Sequence, residues 1–513
     1  MRKLSVSVLL AGVVAACQPT ADDSPLPVVQ KAYTTQQIDD FIYSTLRREG
    51  HFEWSTAPDD LAWSAFEQSD RVLSVGYRPA GTTGDFREQI DRLDLQSGDW
   101  KAARERVLAL ILTEERKLRP DLKASDLEVF EEKYLPVLDV TIKNPETFRQ
   151  LRRSPLVRYA EPIGYEPGAA GRNLRVASSS GCGSNTPVPG LVAGSDFTTT
   201  TPNGKVGWNL DDHNIPAAWA QSSGAGVTVQ IIDTGCSPDQ AKLGAQFNQG
   251  DSQGRSLTKL VTLPRATFFG IPTGPVETPA DLCGHGTSML GTCGGPRGTD
   301  GTTVGVAYNA NFVSVRAAAD VLLDESREVK GVSDAFTAAG NNANVRIISL
   351  SLGRTTSSSQ MTDAIRYAYN RGKLIFAAAG TSFSFTSWFG VVFPASLSEC
   401  VAVTGVKEAV MQKCDACHDG SKVEFVTVME KAGSGLHGLS LAMSGDVPST
   451  VGGSSVATST MAGMAALVWS KFPGQSRAQI LEKLKTSSSY YPTRNGNLGW
   501  GKPNVLKALG AVQ

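Results

Sequence analysis

Gly452-Gly453-Ser454-Ser455-Val456-Ala457-Thr458-Ser459-Thr460-Met461-Ala462-Gly463 is a paired-glycine turn that delivers two serines onto a strongly apolar helical run, continued by Met464, Leu467, Val468 and Trp469. A hydroxyl at a helix N-terminus sits beside unpaired backbone N–H groups and the positive end of the dipole, where charge on an attacked carbonyl is stabilised. A serine that merely caps a buried helix gives the same local pattern. The rest of the chain has to separate a nucleophile from a cap.

Upstream, from Trp208, short apolar runs alternate with helical patterns. Residues 227–232, 312–315, 345–350, 374–379 and 400–406 are near-continuous apolar stretches, with helical periodicity at 332–339 and 361–369 between them. Such runs suit strands buried on both faces, so the expected class is α/β: a mostly parallel sheet flanked by helices, with sites at the carboxyl ends of the strands. Asp233 ends the first of these strands, in Ile231-Ile232-Asp233-Thr234-Gly235. The five histidines are His51, His213, His285, His418 and His437. Only His285 has flanking glycines and a small-residue helix to follow, in Cys283-Gly284-His285-Gly286-Thr287-Ser288, which makes it the candidate general base. The chain order is Asp233, His285, Ser455, one of three known orders for this constellation. No Gly-x-Ser-x-Gly elbow and no His-Glu-x-x-His is present, which argues against an α/β-hydrolase and a metalloprotease.

Several stretches now resemble one family. Trp208-Asn209-Leu210-Asp211, Pro216-Ala217-Ala218-Trp219, Gly305-Val306-Ala307-Tyr308-Asn309-Ala310, Ser349-Leu350-Ser351-Leu352-Gly353, Ala377-Ala378-Ala379-Gly380 and Gly453-Ser454-Ser455-Val456-Ala457-Thr458 are similar to the segments of subtilisin-like serine proteases, the subtilases. The resemblance implies a subtilisin-like fold and an endopeptidase. Ser455, rather than Ser454, is then the nucleophile, His285 the acid/base and Asp233 its orienting carboxylate. It also implies that Ser351, Leu352 and Gly353 bind substrate as an added strand, with Ala378, Ala379 and Gly380 on the opposite wall. The family usually places an Asn after that glycine as an oxyanion donor; here the residue is Thr381, a shorter donor. Ser459 and Thr460 replace the usual Pro-His. Family members often bind calcium, but no ligand is assigned here, and no other cofactor or metal is expected. Thr381 keeps a second reading open: a weak or inactive subtilase-fold lipoprotein that binds extended peptides without cutting them.

The N-terminal part divides into an expected signal at 1–17, a linker at 18–31, a small α+β pro-domain at 32–167, a linker at 168–204 and the peptidase domain at 205–513. Arg2 and Lys3 precede an apolar run too short to span a bilayer, and Val14-Ala15-Ala16-Cys17 resembles a bacterial lipobox with Cys17 as the lipidated residue. An exported, lipid-anchored envelope protein is expected, periplasmic or at the outer membrane or cell surface, the latter favoured by Gln18 after the Cys. A helix beginning at Trp100 after Asp99, a strand within 135–142, a helix at 145–153 and a strand at 157–162 ending in Tyr159-Ala160-Glu161-Pro162 are expected, and the last three resemble the tail of a subtilase pro-domain, which is cut off on maturation, here within 161–195. Expected partners are polypeptide substrates and the chain's own pro-domain.

With 513 residues, 41% hydrophobic, 19% charged and a net charge of −1, the chain is globular and gives no electrostatic case for nucleic acid. Besides Cys17 there are Cys182, Cys236, Cys283, Cys293, Cys400, Cys414 and Cys417, and export favours disulfides, with a Cys236–Cys283 bridge beside the triad as one expectation. Cys414-Asp415-Ala416-Cys417-His418 spells a c-type haem attachment motif and offers zinc ligands. It falls inside the peptidase domain, where a local disulfide or structural thiols are the expectation.

Overall fold

The computed structural model describes residues 31–510 apart from 83, 97, 170–181, 183–184, 269–270 and 382–389. The signal, Cys17 and the first linker lie outside the described residues.

The N-terminal unit is α+β. Strands Glu128–Phe130, Val137–Val140, Leu73–Tyr77 and Val157–Pro162 form, in that order, an antiparallel sheet. Helices Thr35–Glu49, Asp59–Glu67, Gly98–Glu115 and Pro145–Arg153 accompany it. The last of these starts where the sequence says it should: the Asn144 side chain accepts the Glu146 N–H at 3.0 Å and Pro145 opens the helix. Phe148 and Leu151 then bury into the unit's core. The helix expected from Trp100 begins two residues earlier, at Gly98. At the end of the stretch expected as a linker, Phe197–Thr200 pairs with Gly204–Gly207 as an antiparallel hairpin.

The larger unit is built on seven strands: β1 (Thr228–Asp233), β2 (Leu257–Val261), β3 (Asn311–Arg316), β4 (Val345–Leu350), β5 (Leu374–Ala378), β6 (Val401–Lys407) and β7 (Val423–Glu430). Their spatial order is β7-β6-β5-β4-β1-β3-β2, and every pair is parallel. The apolar runs are therefore strands whose two faces are both covered. Helices α1 (His285–Gly294) and α4 (Gly453–Lys471) bury Met289, Leu290, Met461 and Leu467 on one face. Helices α2 (Ser326–Asn341) and α3 (Ser359–Asn370) bury Val329, Phe336, Met361 and Ile365 on the other. Because β1 has β3 on one side and β4 on the other, the order reverses there, and in such sheets sites form at the carboxyl ends of the strands beside that point.

The N-terminal sheet sits against α2 and α3, and carboxylates fix it there. Asp70 accepts the Ser326 N–H at 2.8 Å and its hydroxyl at 2.6 Å, while Glu161 accepts the Ser359 N–H at 2.9 Å and its hydroxyl at 2.5 Å. Each carboxylate thus satisfies the unpaired start of one helix. Arg158 pairs with Asp363 at 2.6 Å, and Gln360 donates to Asp139 at 2.8 Å. Beyond the last strand of this sheet, the fully buried Arg354 donates to the carbonyls of Ile163 and Tyr165, both at 2.7 Å.

Candidate active site

Asp233 is the last residue of β1, and His285 the first of α1. The His285 Nδ1–H donates to Asp233 Oδ1 at 2.7 Å, with the two side chains 5% and 1% exposed. That oxygen also accepts the Thr234 N–H at 2.8 Å. The bond fixes Nε2 as the basic nitrogen of the neutral ring. Burial pulls the His285 pKa down, but Asp233, followed by the charges of Asp281 and Asp320, outweighs it and holds the ring above the ordinary histidine value.

Ser455 lies in the first turn of α4. Gly453, at φ +82°, makes the turn that starts the helix, and a Cβ there would meet Thr381 Oγ1 at 3.1 Å. The Ser455 hydroxyl donates to the Ser351 carbonyl at 3.4 Å, and the Ser351 hydroxyl donates to the Ser455 carbonyl at 3.0 Å. The nucleophile candidate thus rests against the strand end, and among the described residues no hydrogen bond joins it to His285. Active-site hydrogen bonds are often long or misaligned before substrate binds.

Thr381 follows Gly380 at the carboxyl end of β5. Its hydroxyl lies 3.1 Å from Ser454 Oγ, which also accepts the Gly380 N–H at 3.2 Å. The Thr381 hydroxyl is therefore beside the start of α4. Ala378 and Ala379 are buried, and Gly380 takes φ +126°.

The edge formed by Ser351, Leu352 and Gly353 is occupied by the chain itself. The Gly353 N–H donates to Val321 O at 3.2 Å, and its carbonyl accepts the Leu323 N–H at 3.1 Å. An extended ligand would have to replace that pairing.

Sequence reasoning missed Asp281. It is 1% exposed and accepts from the N–H groups of Cys283 (3.0 Å), Gly284 (2.7 Å) and Thr287 (2.9 Å) and from the hydroxyls of Thr234 (2.9 Å) and Thr287 (2.7 Å). It ties the turn after Asp233 to the start of the His285 helix. An Asp four residues ahead of the base was the available signal, a capping residue before a helix.

The cysteines differ from expectation. Cys283 pairs with Cys182, not Cys236, which stays buried as a free thiol. The pairing has a tertiary cause: Asn185, three residues beyond Cys182, donates to Gly284 O at 2.7 Å, which holds that stretch beside Cys283. Cys414 and Cys417 form the local disulfide, so their sulfurs are occupied and neither haem thioethers nor zinc–thiolate bonds fit that loop. Of the other histidines, His213 is structural: it donates to Pro503 O at 2.9 Å, accepts the Val428 N–H at 3.1 Å, and burial lowers its pKa to about 4.

Known proteins resemble this chain in sequence. The chain is 26% identical over 436 residues to an alkaline protease of Alkalihalobacillus alcalophilus, covering 84% of this chain and 90% of that protein. It is 25% identical over 430 residues to the M-protease of Shouchella clausii (strain KSM-K16), covering 83% and 88%. The crystal structure of MycP1 from Mycobacterium smegmatis superposes at TM-score 0.46 and 20% identity, over 65% of this chain and 89% of that one. The family model described as the subtilase family matches residues 224–501, more than half of the 513. This chain belongs to the subtilase family.

Proposed function

We propose that the protein is an exported, lipid-tethered serine endopeptidase made as a zymogen. The observation that carries the reading is the Asp233–His285 pair at the carboxyl end of β1, 2.7 Å apart and buried, with Ser455 at the start of α4. Ser455 attacks the peptide carbonyl, His285 Nε2 takes its proton and returns it to the leaving amine, and Asp233 steadies the imidazolium. The Ser455 N–H and the Thr381 hydroxyl face the oxyanion. Peptide enters by displacing residues 321–323 from Gly353 and binds as a strand, its side chain before the scissile bond facing Ala378 to Gly380. The N-terminal unit, held on α2 and α3 with its tail along Arg354, serves as folding partner and inhibitor until it is cut off. Export and a lipid on Cys17 are supported by the N-terminal sequence, in which Arg2 and Lys3 precede an apolar run ending in Val14-Ala15-Ala16-Cys17.

The test is the intact mass of the chain without its signal, wild type beside Ser455→Ala, together with labelling by a fluorophosphonate. Loss of the N-terminal unit within 161–195, and labelling, in wild type only is the expected outcome. If both proteins stay full length and neither is labelled, the peptide-binding reading replaces this one.

A further inference from the structure

The Cys-x-x-Cys-His loop, which neither haem nor zinc explains, touches the wall that carries Thr381. Its two sulfurs are bonded to each other, and Cys414, Cys417 and His418 are each exposed by 1% or less. One side of the loop rests on β6: the Cys414 N–H donates to Gly405 O at 2.9 Å, Thr404 donates its hydroxyl to the His418 carbonyl, and a Cβ on Gly405 would meet Cys417 Sγ at 2.8 Å. The other side grips the residues after β5. Thr381 and Cys417 form an antiparallel bridge, and the His418 N–H donates to Gly380 O at 3.0 Å.

The imidazole completes the grip. Its Nδ1 lies 2.8 Å from Gly390 O, and since a carbonyl only accepts, Nδ1 carries the proton. The ring lies where a side chain on Gly380 would go: a Cβ there would meet His418 Nδ1 at 2.7 Å, so both the φ of +126° and the ring demand glycine. Burial holds the His418 pKa below the ordinary value despite the Gly390 carbonyl, so the ring is a neutral donor. One five-residue loop therefore fixes Gly380 from its carbonyl, its α-carbon and its neighbour Thr381. The Gly380 N–H and the Thr381 hydroxyl in turn contact Ser454, next to the candidate nucleophile.

We infer that Cys414–Cys417 and His418 form a clamp that positions the oxyanion wall, with His418 as a positioning residue for Gly380 and Thr381. The catalytic consequence rests on the peptidase reading above, whereas the clamp itself does not. It touches the wall that carries Thr381 and not the edge that pairs with peptide, so loosening it lowers kcat by more than it raises KM through the side-chain contact at Gly380. A short disulfide-closed loop pinned to a buried strand suits this role, because its own anchor is a rigid element outside the site.

The test compares wild type with His418→Leu, His418→Asn and the double variant Cys414→Ser/Cys417→Ser, all in the full chain. Amide hydrogen exchange is read at Gly380 and His418, and kcat and KM are read on a peptide substrate. His418→Leu and the double variant are expected to exchange these amides roughly tenfold faster, and to lower kcat roughly tenfold with KM within about twofold. His418→Asn keeps an N–H where Nδ1–H is and is expected to stay near wild type in both. If His418→Leu does not fold, the double variant and His418→Asn carry the same comparison. Unchanged exchange at Gly380 in the variants that do fold overturns the clamp, as does His418→Asn behaving no better than His418→Leu. Faster exchange in a protein whose wild type shows neither turnover nor fluorophosphonate labelling upholds the clamp and removes the peptidase reading.

Discussion

Thr381 stands where the family places a longer amide, and its hydroxyl is 3.1 Å from Ser454 rather than free in the crevice. One preorganised oxyanion donor is worth roughly 100- to 1,000-fold in kcat in subtilisin. A hydroxyl shared with a neighbour contributes less, so Thr381→Ala should lower kcat by about tenfold and Thr381→Asn should raise it, both with KM nearly constant. Steady-state kinetics on one peptide decides this, and a Thr381→Ala enzyme at full kcat would remove the residue from the oxyanion site. Asp281 acts at the same scale through His285. Its charge helps to hold the ring above the usual value, and its five accepted hydrogen bonds place the helix that carries the ring. The proposed mechanism needs neutral His285, so kcat/KM should fall as pH drops through a pKa above 6.5. In Asp281→Asn that acid limb should move to lower pH and the plateau should fall roughly tenfold. A lower plateau with an unmoved limb would mean that Asp281 is only a cap.

At the scale of elements, the start of α1 is held from two directions. Asp281 caps it from the side of β1, and the Cys182–Cys283 disulfide ties it to the segment that leaves the N-terminal unit, 101 residues away in sequence. Closing a loop of that length restricts the unfolded chain strongly, and native disulfides contribute about 2–4 kcal/mol. Cys182→Ser in a Ser455→Ala background should therefore lower the thermal midpoint by several degrees under oxidising conditions and by nothing after reduction. An equal midpoint in oxidising buffer would show that the bridge does not form. The same bond means that a cut anywhere N-terminal to Cys182 leaves the new chain end fastened beside His285.

Over the whole molecule, the N-terminal unit and the peptidase unit meet through buried carboxylates. Burial raises Asp139 to about 6 and Glu161 to about 6, outweighing the hydrogen bonds from Gln360 and Ser359 that favour the ionised forms. Each group binds its proton more tightly when docked than when free. Its contribution to docking is therefore full below the free pKa, near 4, and is lost as pH rises through about 6. In the Ser455→Ala full chain, Glu161→Gln should flatten the loss of stability between pH 4 and pH 7, read as thermal midpoint against pH. An unchanged slope would show that Glu161 stays ionised as a helix cap throughout.

Sequence alone determined the parallel sheet, the order of the three candidate catalytic residues and the helix and strand at the end of the N-terminal unit. Buried strands read as unbroken apolar runs, and Val345–Leu350, Pro145–Arg153 and Val157–Pro162 have the bounds their local patterns dictate. Turn chemistry likewise put Asp233 at a strand end and Ser455 at a helix start. Only the tertiary structure decided that Cys283 takes Cys182, that Asp281 joins two elements, that residues 321–323 close the edge at Gly353, and that the Cys414 loop reaches across to Gly380. Each of these is a contact between segments remote in sequence. Local periodicity carries no record of such a contact, because the path of a loop over a sheet, not the preference of any residue in it, sets which groups come within bonding distance.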